Sequence, residues 1–189
     1  MGHHRIKRRP SRRVVAYREA GHAIACHSLG SRVLAVAVSE KATGIYKEGY
    51  CLAEFPSSVD GMAMVMAGEI AQLRFDPRSE GTTIGDEFKI ELMLSAMVDQ
   101  AKAELDLTTD DARYAFMLQL RRRCRLAAQR EATAIIERHW FEIEALACAL
   151  VSQRVLDRPS FLGILADCRS IRACRKHTIG VVRFPISGV

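Results

Sequence analysis

One segment, residues 14–29, constrains the fold of this chain more than any other. Apolar and small residues recur there at helical spacing: Val14, Tyr17, Gly21, Ile24, Ala25 and Leu29. Ser11 is suited to cap the start of such a helix, and Gly30 is suited to end it. The segment is amphipathic and not continuously apolar, so it predicts a helix of a folded domain and not a signal segment.

The ionisable residues of this predicted helix have the spacing of a metal site in which one ligand is missing. In the pattern H-E-x-x-H, two histidines on one helix face bind zinc, and the glutamate between them is the general base. Glu19 and His22 stand at the positions of the glutamate and the second histidine, and Arg18 stands at the first histidine. Because a guanidinium stays protonated and offers no lone pair, Arg18 cannot bind a metal ion.

The wider segment AYREAGHAIACHSLG resembles the AYHEAGHALVA helix of the FtsH-type ATP-dependent zinc metalloproteases. Later segments resemble that family in the same order. VMAGEIAQLRF resembles its LLAGRAAEELVF helix, and residues 81–86 resemble its TGASND loop with one additional residue. Residues 131–157 are similar to its closing helices. The resemblance covers residues 14–170 and implies the fold of the FtsH-type peptidase domain.

The resemblance also implies a zinc site. His22 would be the second histidine ligand, Asp86 the third ligand on a later helix, and Glu19 the base that activates a zinc-bound water. Because the loop before Asp86 is one residue longer than in the family, Asp76 remains an alternative for the third ligand.

The departure at Arg18 leads to two expectations about the site. The guanidinium is expected to pair with Asp86 or Glu19, to take the place of the metal and to remove the chemistry. Alternatively, another residue completes the site. Cys26 lies one helical turn beyond His22, and its thiolate could bind zinc, although a buried structural cysteine is the simpler interpretation.

The expected function is that of an FtsH-like zinc metallopeptidase-domain protein that is catalytically impaired. Two alternatives remain open: an active metalloendopeptidase with altered zinc geometry, and a non-catalytic regulatory protein that binds peptides or nucleic acid. No G-x-x-x-x-G-K-[ST] phosphate loop occurs in the sequence, so a substrate-unfolding ATPase would be a separate partner. The other expected partners are a peptide or unfolded-protein substrate and further copies of the chain.

Basic charge is concentrated at the start of the chain. Residues 1–17 contain six of the 28 basic residues and none of the 22 acidic ones, so the remainder is formally neutral. An arm at residues 1–13 could contact nucleic acid or an anionic surface, together with the arginine cluster at 121–125. A solvated arm that aids solubility is the competing interpretation, because no aromatic residue precedes Tyr17.

The composition predicts a mainly α-helical, cytoplasmic protein. Aromatic residues make up 6% of the chain, and its six cysteines form no C-x-x-C pair, which is typical of reduced thiols in the cytoplasm. No run of eighteen apolar residues occurs, so no membrane-spanning helix is expected.

Local patterns place the elements along the chain. Residues 33–38 and 50–55 predict a small β-hairpin after the first helix. Further helices are expected at 59–75, from Asp86 onward, over 110–154 with a kink or a break, and briefly around 161–165. The expected organisation is therefore a basic arm (1–13), a peptidase-like domain (14–170) and a C-terminal tail (171–189).

Overall fold

The computed structural model describes residues 11–39, 49–79, 84–104 and 109–179. Its elements, in chain order, are α1 (Arg12–Ser28), β1 (Val33–Val38), β2 (Gly49–Ala53), α2 (Val59–Phe75), α3 (Ile84–Glu104), α4 (Asp110–Arg138), α5 (Trp140–Gln153), β3 (Val155–Asp157) and α6 (Arg158–Ile179). The expectation of a mainly α-helical fold is confirmed. No helix in the described ranges is both long enough and apolar enough to cross a membrane.

Side-chain caps explain where three of the helices begin. Ser11 caps α1, Ser58 caps α2 and Thr109 caps α4, and each hydroxyl accepts a hydrogen bond from the backbone N–H three residues later. Such a bond satisfies one of the N–H groups that a helix start leaves free. The predicted cap at Ser11 is confirmed, and α2 has the bounds that its sequence pattern predicts.

The C-terminal helices differ from the prediction in one respect. The break expected within residues 110–154 lies at His139, between α4 and α5. The final helix, however, is not a short one around 161–165, because α6 runs to Ile179. Pro159 does not prevent this helix from starting at Arg158, because proline is tolerated in the first helical turn. Asp157 supports this start by accepting a hydrogen bond from the Ser160 backbone N–H at 3.0 Å.

The expected hairpin of β1 and β2 is present but belongs to a larger sheet. The strand order is β2-β1-β3 and both pairings are antiparallel. Val36 of β1 pairs with Cys51 of β2 and with Leu156 of β3. Val36 and Leu156 are buried, so this row of side chains forms the inner face of the sheet. The sequence pattern did not predict β3, because three residues are too few to establish a strand period.

Helix α1 is the centre of the core. Every residue from Val14 to Cys26 is buried, and the helix packs against α2, α5 and the sheet. Gly21 permits the close approach of α2: a Cβ atom there would lie 2.6 Å from both the Ala67 carbonyl oxygen and the Ala71 Cβ. The absence of a side chain at Gly21 therefore sets the spacing of the two helices.

We expect Gly21→Ala to destabilise the fold by about 1–3 kcal/mol, because α1 and α2 would have to move apart. Gly163→Ala is the matched control: a Cβ there meets nothing within 4 Å at an exposed position of α6, and alanine is the better helix former. Urea unfolding of both variants measures the difference. Equal stabilities would contradict the proposed close approach.

Candidate functional site

Four ionisable side chains are buried where α1 meets the beginning of α3. Arg18, Glu19 and His22 come from α1, and Asp86 comes from the first turn of α3. Their exposed fractions are 8%, 2%, 5% and 6%, respectively. Burying an isolated charge is costly, so each of these groups requires a partner of opposite charge or a hydrogen bond.

Arg18 lies against Glu19 inside the protein. Its Nε and Nη2 atoms donate hydrogen bonds to the same carboxylate oxygen, Glu19 Oε1, at 3.0 and 2.7 Å. The side chains are 9% and 3% exposed, so water screens this ion pair little. The guanidinium therefore pairs with Glu19, one of the two carboxylates that the sequence offered.

His22 is held between α2 and α3. Its Nδ1 atom lies 3.0 Å from the carbonyl oxygen of Met64, and its Nε2 atom lies 3.5 Å from Asp86 Oδ2. The other carboxylate oxygen of Asp86 lies 3.6 Å from Lys89 Nζ. A carbonyl oxygen can only accept a hydrogen bond, so the contact with Met64 requires a proton on Nδ1 and leaves Nε2 facing the carboxylate.

The structure distinguishes the two aspartates that the sequence left open. Asp86 is the one beside His22. Asp76 ends α2, and its Oδ1 atom accepts a hydrogen bond from the Arg78 backbone N–H at 3.1 Å. Asp76 therefore shapes the turn after α2, and Asp86 is the aspartate of the site.

Gly68 is a site residue that the sequence analysis missed. A Cβ atom at this position of α2 would lie 2.2 Å from Cε1 and Nε2 of His22. The imidazole consequently occupies the space that any side chain at position 68 would need. The signal was present in the segment VMAGEIAQLRF, whose glycine interrupts a helix that is otherwise rich in alanine and methionine.

Burial and neighbouring charges act in opposite directions on His22. Burial alone would lower the pKa of His22, but the hydrogen bond and charge of Asp86, together with the charge of Glu19, raise that pKa above its ordinary value of 6.5. The charged imidazolium is thereby favoured, and it donates from Nε2 toward Asp86. The four groups then form two ion pairs of opposite charges, Arg18 with Glu19 and His22 with Asp86.

These residues provide only part of a zinc site. Two ligand atoms about 2.1 Å from a tetrahedral zinc ion lie about 3.4 Å apart, which is close to the spacing of His22 Nε2 and Asp86 Oδ2. However, no group of three His, Cys, Asp or Glu residues in the described ranges is arranged to hold a metal. Nor does any buried side-chain nitrogen or oxygen there lack a hydrogen-bond partner. The described residues thus do not fit a three-ligand zinc site.

Cys26, the alternative ligand, lies one turn beyond His22 and is completely buried. The thiol of Cys51 on β2 lowers the pKa of Cys26 through a side-chain hydrogen bond. The structure therefore pairs Cys26 with a second cysteine.

The arginine cluster at 121–125 is partly engaged within the protein. Arg121 forms an ion pair with Glu91, and Arg125 pairs with Glu87 and, at 2.9 Å, with Glu91. These contacts attach α4 to α3. Arg122 and Arg123 are exposed. Residues 1–10 of the expected basic arm lie outside the described residues.

Comparisons with known proteins add no assignment: no protein-family model matches the chain, and no curated protein sequence matches it.

The Arg18–Glu19 pair can be tested by removing its members singly and together. Arg18→Met or Glu19→Gln alone should each destabilise the protein by about 3–5 kcal/mol, because a buried charge loses its partner. The double variant should recover most of that loss. Urea unfolding of the wild type, the two single variants and the double variant gives the free energies of unfolding for this double-mutant cycle. Additive losses would show that the two side chains do not interact.

The two histidines of α1 should titrate on opposite sides of pH 6.5. The pKa of His22 is raised, whereas burial and the charges of Arg169, Arg158 and His139 lower the pKa of His27. His22 therefore contributes stability that is present below about pH 6.5 and is lost as the pH rises through its folded pKa. NMR titration of the imidazole nitrogens, in the presence of a chelator, measures both values.

Asp86→Asn provides the control for this titration, because it removes the principal group that raises the pKa of His22. In that variant the midpoint of His22 should fall while that of His27 stays in place. An unchanged His22 midpoint would contradict the pairing with Asp86.

Proposed function

We propose that this protein is an FtsH-type peptidase-like domain that has lost zinc-dependent hydrolysis and binds extended peptides without cleaving them. The observation that carries the proposal is the Arg18 guanidinium on Glu19, inside a buried site that also contains His22 and Asp86. The resemblance of residues 14–170 to that family supports a shared ancestry. The contact between Arg18 and Glu19 supports the loss of zinc-dependent hydrolysis.

The ion pair removes two requirements of metal-assisted hydrolysis. A zinc ion needs a third protein ligand, and Arg18 has no lone pair to supply one. Its fixed positive charge would also repel a dication bound by His22 and Asp86. In addition, a general base needs a carboxylate within reach of water, whereas Glu19 is 2% exposed and its Oε1 atom already accepts two hydrogen bonds from Arg18.

Peptide binding is supported by the position of strand β2. β2 is at the end of the strand order β2-β1-β3, so one of its edges faces away from β1. At its start, a Cβ on Gly49 would lie 2.8 Å from Glu19 Cγ, which brings this strand directly over the site. An extended peptide can add to such an edge through backbone hydrogen bonds. The exposed side chains of Tyr50 and Leu52 offer apolar contacts beside it.

The decisive experiment is the zinc content of purified protein, measured by mass spectrometry for the wild type and for Arg18→His. We expect substoichiometric zinc in the wild type and about one zinc ion per chain in Arg18→His, because the substitution supplies the missing ligand. Arg18→His with His22→Asn is the matched control and should lose the gained zinc. Arg18→Met removes the positive charge without adding a histidine ligand. Its zinc content, compared with that of Arg18→His, therefore distinguishes the two effects.

Peptide binding is measured separately, by fluorescence anisotropy with labelled extended peptides. Wild-type protein should bind them without cleavage, and peptides N-methylated at alternate residues should bind at least about tenfold more weakly, because the lost N–H groups can no longer pair with a strand. Stoichiometric zinc in the wild type, with peptide cleavage abolished by Glu19→Gln, would instead establish an active peptidase. Equal affinity for methylated peptides would contradict pairing at an edge strand.

A further inference from the structure

Two cysteines meet at the interface between α1 and β2, outside the pairs of charged groups. Cys26 of α1 is 0% exposed, and Cys51 of β2 is partly exposed. The two thiols are neighbours, and a side-chain hydrogen bond between them shifts the pKa of each. Both are free thiols in the structure.

The backbone arrangement explains why these two side chains meet. Val15, Glu19 and Cys26 are separated by four and seven residues, so they lie along one stripe of the helix. Gly49 faces this stripe, since a Cβ there would lie 2.9 Å from Val15 Cγ1 and 2.8 Å from Glu19 Cγ. Cys51, two residues later, points to the same side of β2 and therefore also faces α1.

The position of Cys51 in the sheet agrees with this arrangement. Cys51 pairs with Val36 of β1, whose side chain is buried on the inner face of the sheet. The neighbouring residues Tyr50 and Leu52 are exposed on the other face. The contact between the two thiols thus follows from the register of β2 and the packing of α1.

We propose that Cys26 and Cys51 form a reversible disulfide that joins the helix bearing Glu19 and His22 to the edge strand β2. The oxidant is a peroxide. The disulfide would attach the strand over the site to the core of the protein under oxidising conditions and release it on reduction.

The reaction balances in two steps. The Cys26 thiolate attacks one oxygen of hydrogen peroxide, the O–O bond breaks, and a sulfenic acid and hydroxide form. The Cys51 sulfur then attacks the Cys26 sulfur, the S–O bond breaks and water leaves. Overall, two thiols and one peroxide become one disulfide and two waters. Both sulfurs are oxidised, and the peroxide is reduced.

The electrostatics favour these roles for the two sulfurs. The hydrogen bond from Cys51 lowers the pKa of Cys26 despite burial, with smaller contributions from the charges of His22 and Lys89. The same hydrogen bond, together with burial, raises the pKa of Cys51. These opposite pKa shifts favour the thiolate on Cys26, which makes Cys26 the nucleophile of the first step.

The test is peroxide oxidation of the folded protein, followed by mass spectrometry. Without reduction, trypsin should release the peptide of residues 19–32 linked to that of residues 48–74, and dithiothreitol should separate them. The melting temperature should rise by about 5–10 °C on oxidation and return on reduction. Cys148→Ser is the matched control: it removes an exposed thiol, and it should leave the linked peptide and the temperature shift unchanged.

In Cys51→Ser, the same oxidation should leave a sulfenic acid on Cys26 that dimedone captures, with no rise in melting temperature. If that variant does not fold, the wild-type protein decides the question, because the link should form faster in buffer than in urea. The proposal is overturned if exposed Cys148 is fully oxidised while the folded protein yields no 19–32/48–74 link. It is also overturned if the link forms only in urea.

Discussion

The burial of charge on α1 is the constraint on which the rest of this structure depends. The helix is enclosed on all sides from Val14 to Cys26, yet it carries Arg18, Glu19 and His22. An unpaired charge in such a place would cost about 3–5 kcal/mol, a large fraction of the roughly 5–15 kcal/mol by which a domain is stable. The structure resolves this by pairing Arg18 with Glu19 and by bringing Asp86 from α3 to His22. The His22–Asp86 pair therefore joins α1 to α3, and the Arg18–Glu19 pair neutralises the remaining buried charges within α1.

Close packing supports these ion pairs. Gly21 lets α2 approach α1, Gly68 leaves room for the His22 ring, and Gly49 lets β2 lie on Glu19. A side chain at any of these positions would collide with backbone or with a site residue. Because interiors are packed to nearly crystalline density, the space for the ionisable groups and the spacing of the elements cannot be changed independently.

Under the proposed function, the site keeps the scaffold of a metal centre while replacing the metal as the link between elements. In a zinc site the ion would hold α1 to α3 through its ligands; here the His22–Asp86 pair makes that connection directly, and the Arg18 guanidinium holds Glu19. The presence of His22 and Asp86 is then explained by the stability that their pair gives the fold, without any role in catalysis. Cys26 and Cys51 add a second connection from the same helix, to β2, whose strength depends on oxidation.

The sequence by itself determined the features that depend on near neighbours. Helical spacing predicted α1 and α2, and a hydroxyl cap predicted the start of α1. Alternation predicted β1 and β2, and the spacing of Glu19 and His22 identified the candidate site. These patterns extend over only a few residues. Only the tertiary structure decided that Arg18 lies on Glu19, that Asp86 and not Asp76 faces His22, that β3 completes the sheet and that Cys51 meets Cys26. Each of these choices, apart from the first, joins residues more than twenty positions apart. The first depends on which carboxylate the surrounding elements bring within reach of the guanidinium. These contacts depend on how distant segments of the chain pack together, which no local sequence pattern specifies.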